Sequence, residues 1–72
     1  MNIMKIIDWT SKNQPTQGER YYFADTVCEL AIAEEHELSY GVFSHRINNE
    51  YCMKDCRTGL PHCANYLLLK ED

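Results

Sequence analysis

Three thiols and an imidazole fall within twelve residues near the C-terminal end of the chain: Cys52, Cys56, His62 and Cys63. Zinc takes four such donors in a tetrahedron at about 2.0–2.3 Å. The residue types are right and the spacing is not. Three residues rather than two separate Cys52 from Cys56, His62 and Cys63 are adjacent and diverge in a strand, and no second CxxC is present. A disulfide or redox-labile pair among Cys52, Cys56 and Cys63 is a second reading, and buried thiols a third, since free Cys is among the most often buried residue types.

Nucleophilic catalysis needs a thiolate with an imidazole in reach, and Cys52 with His45, or Cys63 with His62, supplies the types. Nothing in the sequence marks an oxyanion hole. Asp25 and Glu29 lie one helical turn apart, but on an exposed helix face they read as solvated acids and not as an acid–base pair for work at neutral pH. The chain contains no GxxxxGK[ST], GxGxxG, HExxH or EF-hand loop. The expectation is therefore a protein that is not an enzyme and carries no cofactor, with zinc as the alternative.

Seven Lys and Arg against eleven Asp and Glu give a formal net charge of −4. That sign argues against a direct grip on a phosphate backbone. The charge is also unevenly placed: Glu19, Asp25, Glu29, Glu34, Glu35 and Glu37 face Arg20 alone over Glu19–Glu37, and the remainder is near neutral. Such a stripe is either a solvated helix face or a surface complementary to a basic partner.

At 72 residues with 44% apolar and 25% charged positions, the sequence suits one compact domain over 1–72. A homodimer is a further way to complete so small a core. The N-terminus has no basic run, long apolar stretch or small-residue cleavage site, and no apolar segment approaches the ~18–20 residues of a membrane span. A cytoplasmic protein without membrane contact is expected.

The elements follow from spacing. Ile3, Ile6, Ile7 and Trp9 read as a first strand, ended by the polar run Thr10–Glu19. From Arg20 to His36, Phe23, Ala24, Val27, Cys28, Leu30 and Ala31 recur at three and four residues, which predicts a helix with Cys28 in its buried face and Tyr22, Asp25, Glu29 and His36 opposite. Glu34, Glu35 and Glu37 would then crowd the helix C-terminus, where the macrodipole disfavours them unless the helix ends near Ala33. Tyr40–Ile47, Asn48-Asn49 and Glu50–Lys54 predict a hairpin in which Ile47 faces Glu50, Arg46 faces Tyr51 and His45 faces Cys52. A loop over Asp55–Pro61 leads to Cys63–Lys70, where Tyr66 and Leu68 alternate as in a strand while Cys63, Tyr66, Leu67 and Lys70 also fit a helix after Pro61; strand is the preferred reading. The fold class is α+β: one helix packed on an antiparallel sheet in the order β-α-β-β-β.

The functional expectation is a small acidic, non-catalytic protein-binding module. Tyr22, Asp25, Glu29, Glu34, Glu35, Glu37, Arg46 and Tyr51 are its candidate contact residues, and the partner is a host protein or ribonucleoprotein complex with a basic surface. In size, acidity and lack of enzymatic motifs the chain resembles the small inhibitors that phages and mobile elements direct against host defence or polymerase complexes, anti-CRISPR proteins among them. The alternative is a zinc-stabilised nucleic-acid accessory module using Cys52, Cys56, His62 and Cys63, with Arg46, Lys54 and Arg57 touching nucleic acid.

Overall fold

The computed structural model describes residues 5–70, except the side chain of Glu35. A five-stranded antiparallel sheet carries one short helix. In chain order the elements are β1 (Arg20–Ala24), α1 (Val27–Ile32), a 3-10 turn (Glu35–Glu37), β2 (Ser39–Ile47), β3 (Glu50–Asp55), β4 (Pro61–Ala64) and β5 (Tyr66–Leu69). The strand order is β4-β3-β2-β1-β5. The expected class, a helix on an antiparallel sheet, is what forms.

The two outermost strands, β4 and β5, are joined by Asn65 alone. In a flat sheet of five strands the edges would stand about 19 Å apart. Two peptide links reach at most about 7 Å. The sheet must therefore curl until its edges approach, and the Phe23 ring of β1, separated from β4 by two strands, lies 4.9 Å from the His62 ring of β4 between centroids. Two features of β2 permit the bend. The register slips between Phe43 and His45, a bulge at Ser44 that tightens local twist. At Gly41 the carbonyl of Lys54 comes so close that a Cβ would collide with it.

Curling gives the sheet an inside and an outside. Tyr21, Phe23, Phe43, Tyr51, Met53, Ala64 and Leu67 fill the inside, with Ile7 against them. Tyr22, Ala24, Leu30 and Leu38 form a second cluster on the outer face, where Leu30 of α1 is fully buried.

The hairpin has the expected register: Ile47 opposite Glu50, Arg46 opposite Tyr51 and His45 opposite Cys52. Asn48 takes the left-handed conformation, φ 54°, that its turn requires. The expected terminal strand is present but divided by Asn65 into β4 and β5.

Three expectations are corrected. Ile3 and Met4 of the proposed first strand lie outside the described residues. In the rest of that segment only Ile7 pairs, through two backbone hydrogen bonds of 2.7 and 2.9 Å with Leu67. Asp8 then turns the chain by accepting from the Thr10 amide and hydroxyl at 2.9 and 2.6 Å.

The helix does not run from Arg20 to His36. Its first five residues are β1, whose consecutive Tyr21, Tyr22, Phe23 and Ala24 are all buried because both faces of that strand are covered. Helix α1 begins only after Thr26, which caps it by accepting from the Glu29 amide at 3.3 Å, while the Thr26 hydroxyl reaches the Glu29 carboxylate at 3.4 Å. It ends at Ile32, so Glu34 and Glu37 escape the unfavourable dipole end.

Cys28, expected in the core, is exposed. In the real helix Cys28 and Ile32, four residues apart, lie opposite Leu30.

Candidate functional site

The solvent face of α1 is the most distinctive surface of the outer side. Ile32 is 82% exposed, the most open of the large apolar side chains among the described residues, and Val27 at the other end is 38% exposed. Asp25, Glu29 and Glu34 are exposed as well, and Glu29 lies one turn before Ile32. Glu29 also closes the Thr26 cap, so it has a local structural role besides its charge. Glu37 accepts from the Glu34 amide at 3.4 Å. Glu35 belongs to the 3-10 turn, and its side chain lies outside the described structure.

Beyond Glu34 the surface changes character. A shallow cleft of about 700 Å³ is lined by Tyr22, Glu34, His36, Tyr40, Arg57 and Lys70. The Lys70 ammonium stands 4.9 Å from the Tyr40 ring centre and 5.9 Å from that of Tyr22, within cation–π range. Arg57 donates to the carbonyls of Leu38 and His36 at 2.9 and 3.3 Å, tying the turn after β3 to the segment before β2. The negative stripe of the sequence is thus bounded by two cations from distant parts of the chain.

Two of the candidate contact residues are not surface residues. Tyr22 is 9% exposed, with its ring edge-on to Tyr40 in the outer cluster. Tyr51 is fully buried inside the sheet, and its hydroxyl donates to the Gln14 side chain at 2.8 Å. Burial pushes the Tyr51 phenol above its ordinary pKa. Both aromatics are core: the β-strand alternation that puts Tyr51 opposite Arg46 turns it into the curl. Arg46 stays exposed, donating to the Asn48 carbonyl at 2.8 Å and to Gln14 at 3.4 Å.

The proposed zinc donors separate. His62 and Cys63 are neighbours in β4 and point to opposite faces, His62 inward against Phe23 and Cys63 outward beside Cys52. Cys56 lies in the turn after β3, where its amide donates to the Tyr40 carbonyl. Among the described residues no group of three or more His, Cys, Asp or Glu side chains is placed to hold a metal.

The thiol–imidazole pairs fare similarly. Cys63 and His62 diverge. Cys52 does sit opposite His45, but burial, reinforced by the neighbouring Cys63, raises the Cys52 thiol above its ordinary pKa, the reverse of an activated nucleophile. His45 instead has its Nδ1 at 2.9 Å from the Ser44 hydroxyl.

What the structure does bring together is Cys52 and Cys63, directly opposite each other on β3 and β4 with their sulfurs 3.6 Å apart. That pairing and the exposure of Ile32 were not singled out by spacing alone. No protein-family model, curated protein or solved structure matches the chain. Among the described residues no helix is long and apolar enough to cross a membrane.

Proposed function

We propose that this chain is a small non-catalytic protein-binding module that presents the solvent face of α1 to a partner. The observation that carries the reading is Ile32, 82% exposed beside the exposed acids Glu29 and Glu34. A large aliphatic side chain held out on a capped helix contributes nothing to this fold by burial. It suits an interface with an apolar centre and a charged rim. The complementary surface is an apolar pocket edged with Lys or Arg, on a host protein or ribonucleoprotein complex. Inhibition of a host defence or polymerase complex by a mobile-element product is the setting that size and acidity favour.

Capture from a host lysate, comparing wild type with Ile32→Asp and Asp25→Lys, tests the reading. Asp25 is chosen because Glu29 supports the helix cap. Proteins identified by mass spectrometry with the wild type should be lost with Ile32→Asp and weakened with Asp25→Lys, while both variants remain folded, each destabilised by no more than the ~0.3–1 kcal/mol that an unfavourable charge at a helix end costs. The wild-type association rate should fall with added salt as the steering charge is screened. Equal capture by all three proteins would remove α1 as the binding face.

A further inference from the structure

We infer that Cys52 and Cys63 constitute a reversible disulfide site, at which a low-molecular-weight disulfide locks the edge strand β4 onto β3. The two residues are directly opposed in the antiparallel ladder, with their sulfurs 3.6 Å apart. Opposed residues of such a ladder have Cα atoms about 4.5–5.5 Å apart. A disulfide accepts about 4.4–6.8 Å. The Cα separation of an opposed pair thus falls within the range a disulfide accepts, and with the sulfurs already 3.6 Å apart closure needs only a small local adjustment.

The two thiols differ in a way that assigns the order of events. Cys63 is exposed, on a strand that pairs on one side only among the described strands. Cys52 is buried, beneath a hollow of about 220 Å³ that His45, Lys54 and Pro61 help to line. Burial and the neighbouring Cys63 keep the Cys52 thiol protonated, which suits it to act second.

In the first step the Cys63 thiolate attacks one sulfur of the external disulfide RS–SR, breaking that bond, forming Cys63–S–SR and expelling RS⁻. In the second, Cys52 loses its proton to solvent and its sulfur attacks the Cys63 sulfur, breaking the mixed bond and expelling a second RS⁻. Two cysteine thiols are oxidised, and one external disulfide is reduced to two thiols after the expelled thiolates take up protons. Excess external thiol drives the same steps backwards.

Neither Cys28 nor Cys56 is set up in this way. Cys28 projects from α1, and Cys56 lies in the turn beyond β3. The bond would reinforce an edge strand, on a part of the sheet separate from α1.

The folded protein equilibrated with oxidised and reduced glutathione, then acid-quenched, alkylated and peptide-mapped, provides the test. The expected product links Cys52 to Cys63, reverts on adding reduced glutathione, and slows amide exchange in β4. Cys63→Ser, at an exposed position, should lower the yield of intramolecular disulfide roughly tenfold or more, because neither remaining partner is aligned with Cys52. Cys56→Ser should leave it unchanged. A Cys52–Cys56 bond as the main product, a glutathione adduct on Cys63 that never closes, or equal disulfide yield from Cys63→Ser would each overturn the site. Unaltered exchange in β4 of the oxidised protein would overturn the lock.

Discussion

The inner and outer faces of the sheet are closed by different means. Inside, the sheet covers itself: Tyr51, Met53 and Leu67, from β3 and β5, are at most 1% exposed without help from the helix. Outside, a six-residue helix supplies the cover and commits only Leu30 fully, leaving Ile32 and Val27 to solvent. A helix so short has little stability of its own and holds its place by tertiary packing. The fold's stability is therefore concentrated inside the curl, and the outer layer can present side chains that folding does not require.

The largest effects should separate these faces. Leu67→Ala removes a fully buried side chain at the strand where the curl closes and should cost about 3–5 kcal/mol in chemical denaturation, enough to unfold a domain of this size. Leu30→Ala should cost less, about 2–3 kcal/mol, because α1 can settle into the vacated space. Native-state hydrogen exchange would show the second variant opening at α1 while the amides of β2 and β3 remain protected. Equal loss of protection across all strands in both variants would mean that the two faces form one cooperative unit.

A smaller effect belongs to the hydroxyl inside the curl. Tyr51→Phe deletes the bond to Gln14 and should cost about 1 kcal/mol. Its pH dependence has a definite sign. Burial raises the folded phenol above the ordinary 10.0, so the neutral form is favoured in the folded state. The contribution is complete below the ordinary value and is lost as pH rises through the raised one. The loss of stability as pH rises above 10.0 should therefore be shallower in Tyr51→Phe than in the wild type, measured by denaturant unfolding across that range.

The smallest effect lies at Asp8, whose carboxyl is held below its ordinary value of 3.8, chiefly by the Thr10 hydroxyl. Here the contribution is present above that value and disappears as pH falls through the lowered one. Acid should loosen the turn after Ile7, and Asp8→Asn should lower stability slightly near neutrality, where the contribution is present, and flatten the low-pH end of the stability profile.

The sequence was readable where one local rule operated alone. In the β2–β3 hairpin, Asn48-Asn49 fixed the turn, and register followed by counting outward. Residues 20–32 were opaque because two elements shared one apparent period. Phe23, Val27 and Leu30 are spaced as in a helix, yet Phe23 is in a strand buried on both faces and so lacks alternation. Thr26-x-x-Glu29 was the available signal that a helix starts there and not at Arg20. Arg46 and the acids at 25, 29, 34 and 37 could be placed on the surface from type alone. The burial of Tyr22 and Tyr51 could not: Tyr22 is covered by the outer cluster around Leu30 and Leu38, and Tyr51 by the bend of the sheet, which is set by Gly41, the bulge at Ser44 and the single connecting residue Asn65.

The junction at Asn65 also bears on how the chain reaches this structure. Strands β2, β3 and β4 meet through short connections and can zip in sequence, whereas β1 must find β5 from the opposite end of the described chain. Loop-closure entropy makes such remote pairing the slow event. Because the strand after Asn65 cannot dock until the curl exists, β5 is expected to be absent from the folding transition state. Substitutions at Leu67 should then speed unfolding and leave the folding rate nearly unaltered, whereas those at Met53 should slow folding itself.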